Sequence, residues 1–190
     1  MDIQRLKNFF ERFPLLASTL EKLNGAHIPF AIGGSGCLYL LGNERLPDDV
    51  DIYVPNDWHD EADALFGMKS YPYRSSMEEV RNSNPENNHS IQLTSGLVLH
   101  IDHKNYDLQL TPDVLNAGIS VEYGGQKIML LPPEDVVLIK ALLQRGSDVG
   151  KHDIEDIRVF LSLYPHFRKE YLEKRIHDLG AEERVGTIFK

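Results

Sequence analysis

Two apolar runs, Ile28-Pro-Phe-Ala-Ile32 and Cys37-Leu-Tyr-Leu-Leu41, are separated by four small residues, Gly33-Gly34-Ser35-Gly36. Few folds accept this spacing. The first run is short and reads as a buried strand, and the second reads as a helix ending at Gly42-Asn43. The glycines between them must turn the backbone tightly, at a place where it can approach a ligand without interference from a Cβ. Next comes Val50-Asp-Ile-Tyr-Val54, a strand stopped by Pro55-Asn56. Asp49 and Asp51, two residues apart, leave the same face of that strand, while Val50, Ile52 and Val54 leave the opposite, buried one. The acids are thereby fixed on a sheet surface that faces a cleft.

The rest of the chain supplies layers around this frame. Residues 3–23 place Ile3, Leu6, Phe9, Phe10, Phe13, Leu16, Leu20 and Leu23 at helical spacing, with a break at Pro14. Asp57 caps a helix running to about Phe66, and the polar stretch from Tyr71 to Asn88 reads as a loop. Ser90–Thr94 and Leu97–Asp102 read as strands joined in a hairpin by Ser95-Gly96. Strands over 119–123 and 127–131 turn at Gly124-Gly125. Pro132-Pro133 opens a helix to Arg145, and the next helix buries Ile154, Ile157, Phe160 and Leu161. A last helix spans about 166–179. The expectation is one domain over residues 1–190: an α/β sheet core at about 25–131, then a helical third at about 132–190.

Charge narrows the partners. The net charge of −9 excludes bulk nucleic-acid binding, which needs an excess of Lys and Arg to neutralise phosphates. The bases that exist crowd into the last third, among them Lys140, Arg145, Lys151 and Arg158, where a cationic wall facing an acidic pocket would suit a phosphate ligand. Those beyond residue 165 read as solvated helix surface. No apolar run approaches the ~20 residues that span a bilayer, so no membrane partner is expected. The N-terminus lacks a signal-peptide core, and the single cysteine, Cys37, agrees with a reducing compartment. The expected location is the cytoplasm.

The chemistry converges on the glycine turn and the acidic pair. Backbone N–H groups after Gly33-Gly34, with the Ser35 hydroxyl, can receive a phosphate. Two neighbouring carboxylates repel unless a cation lies between them, and oxygen-ligated Mg²⁺ resolves that repulsion. A third carboxylate, Asp102, closes a strand that can pair beside the first. Three acids from two strands would hold two metals for in-line phosphoryl chemistry, with Asp107 and Glu122 as rival third ligands. Lys140 is the one non-apolar residue between Val136 and Leu143, on a helix apolar nearly all round. Buried there, it needs an anionic partner: a triphosphate, or Asp153 or Asp156. His100 and His103 leave opposite strand faces and cannot easily join Asp102 in a zinc site. His152-Asp153 lacks a matching upstream histidine, and no Walker lysine follows the glycines.

This arrangement resembles the signature of the nucleotidyltransferase superfamily: Gly34-Ser35, a spacer of thirteen residues, then Asp49-Val50-Asp51-Ile52. It looks most like small bacterial members of the toxin-like and antibiotic-modifying branches, which Gly33-Gly34, Gly42, Arg45 and the acidic pair fit. Pro133-Glu134-Asp135, Lys140 and Lys151-His152-Asp153-Ile154-Glu155-Asp156 match a second block of such members, so the likeness spans roughly residues 28–160. It implies a palm-like mixed sheet of the polymerase-β type with flanking helices, Mg²⁺ or Mn²⁺ as cofactor and an NTP as substrate. It further implies transfer of a nucleoside monophosphate to an acceptor hydroxyl on a small molecule, a protein or an RNA. Asp49, Asp51 and Asp102 would be the catalytic metal ligands, and Gly33, Gly34, Ser35, Arg45, Lys140 and Lys151 the substrate contacts. The alternative is a non-catalytic nucleotide-binding or interaction protein on the same fold, against which the presence of all three acids speaks. Pro47 departs from the Thr or Ser of many relatives.

Overall fold

The computed structural model describes residues 2–66, 78–81, 90–95 and 97–189. Helices α1 (Ile3–Arg12) and α2 (Leu16–Gly25) are interrupted at Pro14, as the sequence requires, and Asp2 caps the first by accepting from the Gln4 amide at 2.8 Å. Their shared stripe of Phe9, Phe13, Leu16, Leu20 and Leu23 is fully buried.

A six-stranded mixed sheet forms the core of the molecule. Its strands are β1 (Ala31–Ile32), β2 (Asp49–Val54), β3 (Glu78–Arg81), β4 (Ser90–Ser95), β7 (Ile119–Tyr123) and β8 (Gln126–Leu130), in the order β3-β4-β2-β1-β8-β7. β2 runs antiparallel to β1 and parallel to β4, while β1 runs parallel to β8. Helix α3 (Gly34–Leu40) starts three residues earlier than the sequence suggests, directly on the glycine turn. Helix α4 (His59–Phe66) follows a short 3-10 turn at Asn56–Trp58.

Two expectations fail here. The 71–88 loop contains a strand, β3, and the remainder of that stretch lies outside the described residues. The second failure has larger consequences. β4 does not pair with the next strand. It leaves the hairpin to β5 (Val98–Ile101) and β6 (Lys104–Asp107), which make a separate two-stranded ribbon, while β4 itself fills the position beside β2. The Gly124-Gly125 turn is as expected, with positive φ at both residues (58° and 76°), the signature of a tight hairpin whose twist matches its strands.

The C-terminal third is helical. Helix α5 (Pro112–Ala117) leads into β7, and α6 (Pro133–Leu143) is buried from Pro133 to Leu142, with α7 (Asp153–Leu163), α8 (Lys169–Asp178) and the short α9 (Glu182–Val185) around it. On α7 the buried stripe is Asp153, Asp156, Ile157 and Phe160, whereas Leu161 stands exposed. The bases past residue 165 are not all solvated. Arg168 grips the fully buried Glu134 at 2.7 Å, and Arg175 donates to Asp135 at 2.7 Å. No helix among the described residues is long and apolar enough to cross a membrane.

Candidate functional site

The alternation of β2 sends Asp49, Asp51 and Tyr53 into one cleft of about 450 Å³, while Val50, Ile52 and Val54 are packed into the core. Gly34 lies directly under the acids. Its φ is +54°, and a Cβ there would come within 1.9 Å of an Asp51 carboxylate oxygen. Only glycine satisfies both conditions. Gly33 is confined in the same way from the other side, since a Cβ would strike the Tyr53 ring at 2.3 Å. Tight packing of turn against strand is therefore what sets the acids and the start of α3 side by side.

The segment joining α3 to β2 is clamped by α1. Arg5 donates to the carbonyls of Tyr39 and Asn43 at 3.2 and 2.5 Å, and Arg12 to Pro47 O at 2.7 Å and the Asp48 carboxylate at 2.8 Å. The carbonyl of Pro47 thus has a structural partner, at the position where the sequence departs from many relatives.

Burial, and then the neighbouring charge of Asp49, pushes the Asp51 carboxyl up to about 6, with Lys151, Lys140 and Arg145 pulling the other way. Two like charges on one strand face are the direct cause. The opposite wall of the cleft is cationic. Lys151 Nζ approaches Asp49 to 3.4 Å, and Lys140, Arg145 and Arg45 line the same space. Lys140 is 4% exposed and bonded to both of its sequence-level carboxylate candidates, Asp153 at 3.0 Å and Asp156 at 2.8 Å. Each carboxylate has a second cation: Arg145 donates to Asp153 at 2.8 Å and Arg45 to Asp156 at 2.5 Å. Burial opposes ionisation of Asp153, but its bonds to Arg145 and Lys140 prevail and hold its carboxyl below the ordinary value. Ser35 stands at the rim, its Oγ a long 3.5 Å from Asp156.

The structure brings Gly34, Ser35, Arg45, Asp49, Asp51, Lys140 and Lys151 to the walls of this one cleft, and Gly33 abuts it through Tyr53. It does not bring Asp102 there. That residue occupies the β5–β6 turn with φ +48°, followed by His103 at +66°, a two-residue turn for which aspartate is among the preferred types. Its side chain is 80% exposed and paired with Arg184 at 2.6 Å. On the ribbon, Leu97 and Leu99 face the cleft, so the period of two turns the even-numbered residues away from it. The rivals Asp107 and Glu122 are exposed and also lie outside the cleft lining.

Three cleft residues escaped the sequence reading: Tyr53, Gln92 and Arg145. Tyr53 follows from the parity that identified the acids. Gln92 needed the correct partner strand, because β4 aligns it with Asp51. Arg145 was visible only as the end of a helix. No group of three or more His, Cys, Asp or Glu side chains is placed to hold a metal ion among the described residues.

A family model described as a nucleotidyl transferase of unknown function (DUF2204) matches residues 12–184. No curated protein matches the sequence. Among solved structures, a putative nucleotidyltransferase from Thermotoga maritima superposes with a TM-score of 0.56 at 18% identity, over 80% of this chain and 93% of that one. The antibiotic-resistance factor ANT(2'')-Ia, solved in solution, gives 0.51 at 14% identity over 90% and 91% of the two chains. Its complex with adenylyl-2''-tobramycin gives 0.52 at 14%, over 90% and 97%. At such identities the likeness is one of fold.

Proposed function

This chain belongs to the nucleotidyl transferases of that DUF2204 family, and on that premise we propose that it moves a nucleoside monophosphate from an NTP to an acceptor hydroxyl. The observation that carries the reading is the pairing of Asp49 and Asp51 across one cleft from Lys151, Arg145 and Lys140, with Gly34 packed beneath Asp51. The donor set suits a hard divalent cation: two carboxylates converge, and their mutual repulsion is already expressed in the raised Asp51 carboxyl. Mg²⁺ or Mn²⁺ held by Asp49 and Asp51 would supply a Lewis acid that offsets charge at the reacting phosphate.

In this reading the chain's own groups do the rest. Gly34 and Ser35 receive the terminal phosphates at the rim. Lys151 and Arg145 neutralise charge as the acceptor oxygen bonds to the α-phosphorus and the bond to the β-phosphate oxygen breaks. Pyrophosphate leaves with that electron pair, and the acceptor's proton passes to the carboxylate floor. Lys140 sits one layer behind, its charge shared between Asp153 and Asp156, and so fixes the wall as well as the field. Leu97, Leu99 and Ile139 make an apolar flank for a flat or partly apolar group. The adenylyl product named with ANT(2'')-Ia supports a small-molecule hydroxyl as acceptor, in the cytoplasm.

A second reading, a nucleotide-binding protein without transfer, gains from one observation: Asp102 is outside the cleft, so the presence of three acids no longer argues for catalysis. One experiment separates the two. The protein is incubated with each α-labelled NTP, Mn²⁺ and a cell extract, and the extract is resolved into small-molecule, protein and RNA fractions. Label should enter one fraction with wild type, and Asp49→Asn/Asp51→Asn should abolish it while leaving the fold unchanged. Metal-dependent NTP binding without label transfer to any fraction would establish the second reading.

A further inference from the structure

Gln92 is the polar side chain that the reading above leaves unused. It lies on β4, in register with Asp51 across the parallel pair, and it lines the cleft. It is 8% exposed, between Ile91 and Leu93 of the core. Its Oε1 is buried and has no hydrogen-bond partner. A buried acceptor left unpaired costs about 1–3 kcal/mol, and such orphans in native proteins usually mark a functional role or an ion. The identity of its neighbours sharpens the point. Asp51, aligned with it, and Asp49 beyond carry only acceptor oxygens when ionised, so an amide oxygen facing them repels rather than bonds. What reconciles three oxygens converging on one space is a cation among them.

We propose that the Gln92 side-chain oxygen is the third, neutral ligand of a divalent cation held by Asp49 and Asp51. The inference rests on the reading of the cleft as a nucleotidyl-transfer site. It also fits the absence, among the described residues, of any cluster of three ionisable metal ligands. The charge balance has a consequence. Two carboxylates match one divalent ion, and the cations that face them, beginning with Lys151 at 3.4 Å from Asp49, would repel a second. Without nucleotide, therefore, the chain holds one ion.

The test is a Mn²⁺ titration of the full chain without nucleotide, following free Mn²⁺ by electron paramagnetic resonance. Wild type is expected to bind one Mn²⁺ per chain. Gln92→Leu should weaken binding at least about tenfold, an effect that even indirect partners of metal sites produce. Gln92→Glu should tighten it, since an amide becomes a carboxylate. The metal-free melting temperature of Gln92→Leu should be equal to or above that of wild type, because an unpaired buried acceptor has been removed. If Gln92→Leu fails to fold, Gln92→Asn, which keeps the amide but shortens its reach, should show the same loss of affinity. Equal Mn²⁺ affinity in wild type and the folded variants, or two ions bound per wild-type chain, would overturn the proposal while leaving the transfer reading intact. Failure of wild type to bind Mn²⁺ even with an NTP present would remove the transfer reading and this inference together.

Discussion

Lys140 shows how one residue serves both stability and field. With side-chain exposures of 5% for Lys140, 0% for Asp153 and 5% for Asp156, the three charges are effectively inside the protein. Each carboxylate keeps one arginine if the lysine is lost, so the damage is partial. Lys140→Met should cost about 3 kcal/mol, the low end for breaking a buried pair, read as a fall in the urea midpoint. It should also shift acid unfolding. Asp153 is held below its unfolded value, so its contribution is complete above roughly pH 4 and is lost as pH falls through the folded value. With Lys140 gone that depression shrinks, and the variant should unfold at a higher pH than wild type. An unchanged acid midpoint would mean that Arg145 alone sets Asp153. The sequence identified both carboxylate partners, because a lone lysine on an apolar helix must find anions and Asp153 and Asp156 lie one turn apart on the next helix. It assigned Asp102 wrongly for an equally physical reason: Asp-after-strand looks the same whether the strand ends in a catalytic edge or in a tight turn.

At the level of elements, the sheet was legible wherever side-chain period and turn chemistry coincided: Val50–Val54, the Gly124-Gly125 hairpin, and α6 behind Pro132-Pro133. It was illegible where pairing is non-local. Ser90–Thr94 was assigned to its neighbour in sequence, whereas β4 joins β2 across a crossover, and no local signal distinguishes those outcomes. That single misassignment hid Gln92. The Pro133-Glu134-Asp135 motif has a role that position alone does not show: its acids hold α8 against α6. Asp135 accepts from Arg175 at 2.7 Å and from the Tyr171 hydroxyl at 2.5 Å, and the nearby carboxylate raises the Tyr171 phenol, after burial, above its ordinary range. Asp135→Ala strands a mostly buried guanidinium and a phenol. It should cost about 3 kcal/mol by loss of one partner of a buried pair. Hydrogen exchange should quicken in α8 (169–178) while β2 stays protected. Equal acceleration in β2 would mean that α8 and the sheet unfold together.

For the molecule as a whole, an acidic chain of net charge −9 concentrates a cationic wall in one cleft, so ligand binding there should be visible as global stabilisation. A ligand at a hundred times its Kd adds about 2.7 kcal/mol, and a domain of this size gains about 2–4 °C per kcal/mol. Mn²⁺ with the correct NTP should therefore raise the melting temperature by about 5–10 °C, and Mn²⁺ with the wrong NTP by less. Asp49→Asn/Asp51→Asn should lose the shift. The same increase in the double variant would place the nucleotide elsewhere. One feature of the sheet also bears on how the protein is made. The two-residue strand β1 joins the halves of the sheet by pairing Ile32 with Leu130, and those residues leave the ribosome several seconds apart at about 5–20 residues per second. Until Leu130 emerges, β1 has a bare apolar edge and β2 holds its paired acids with Lys140 and Lys151 still untranslated. The nascent chain thus passes through an interval in which its most repulsive strand is the least neutralised, and a ribosome that slows before residue 130 lengthens that interval in direct proportion.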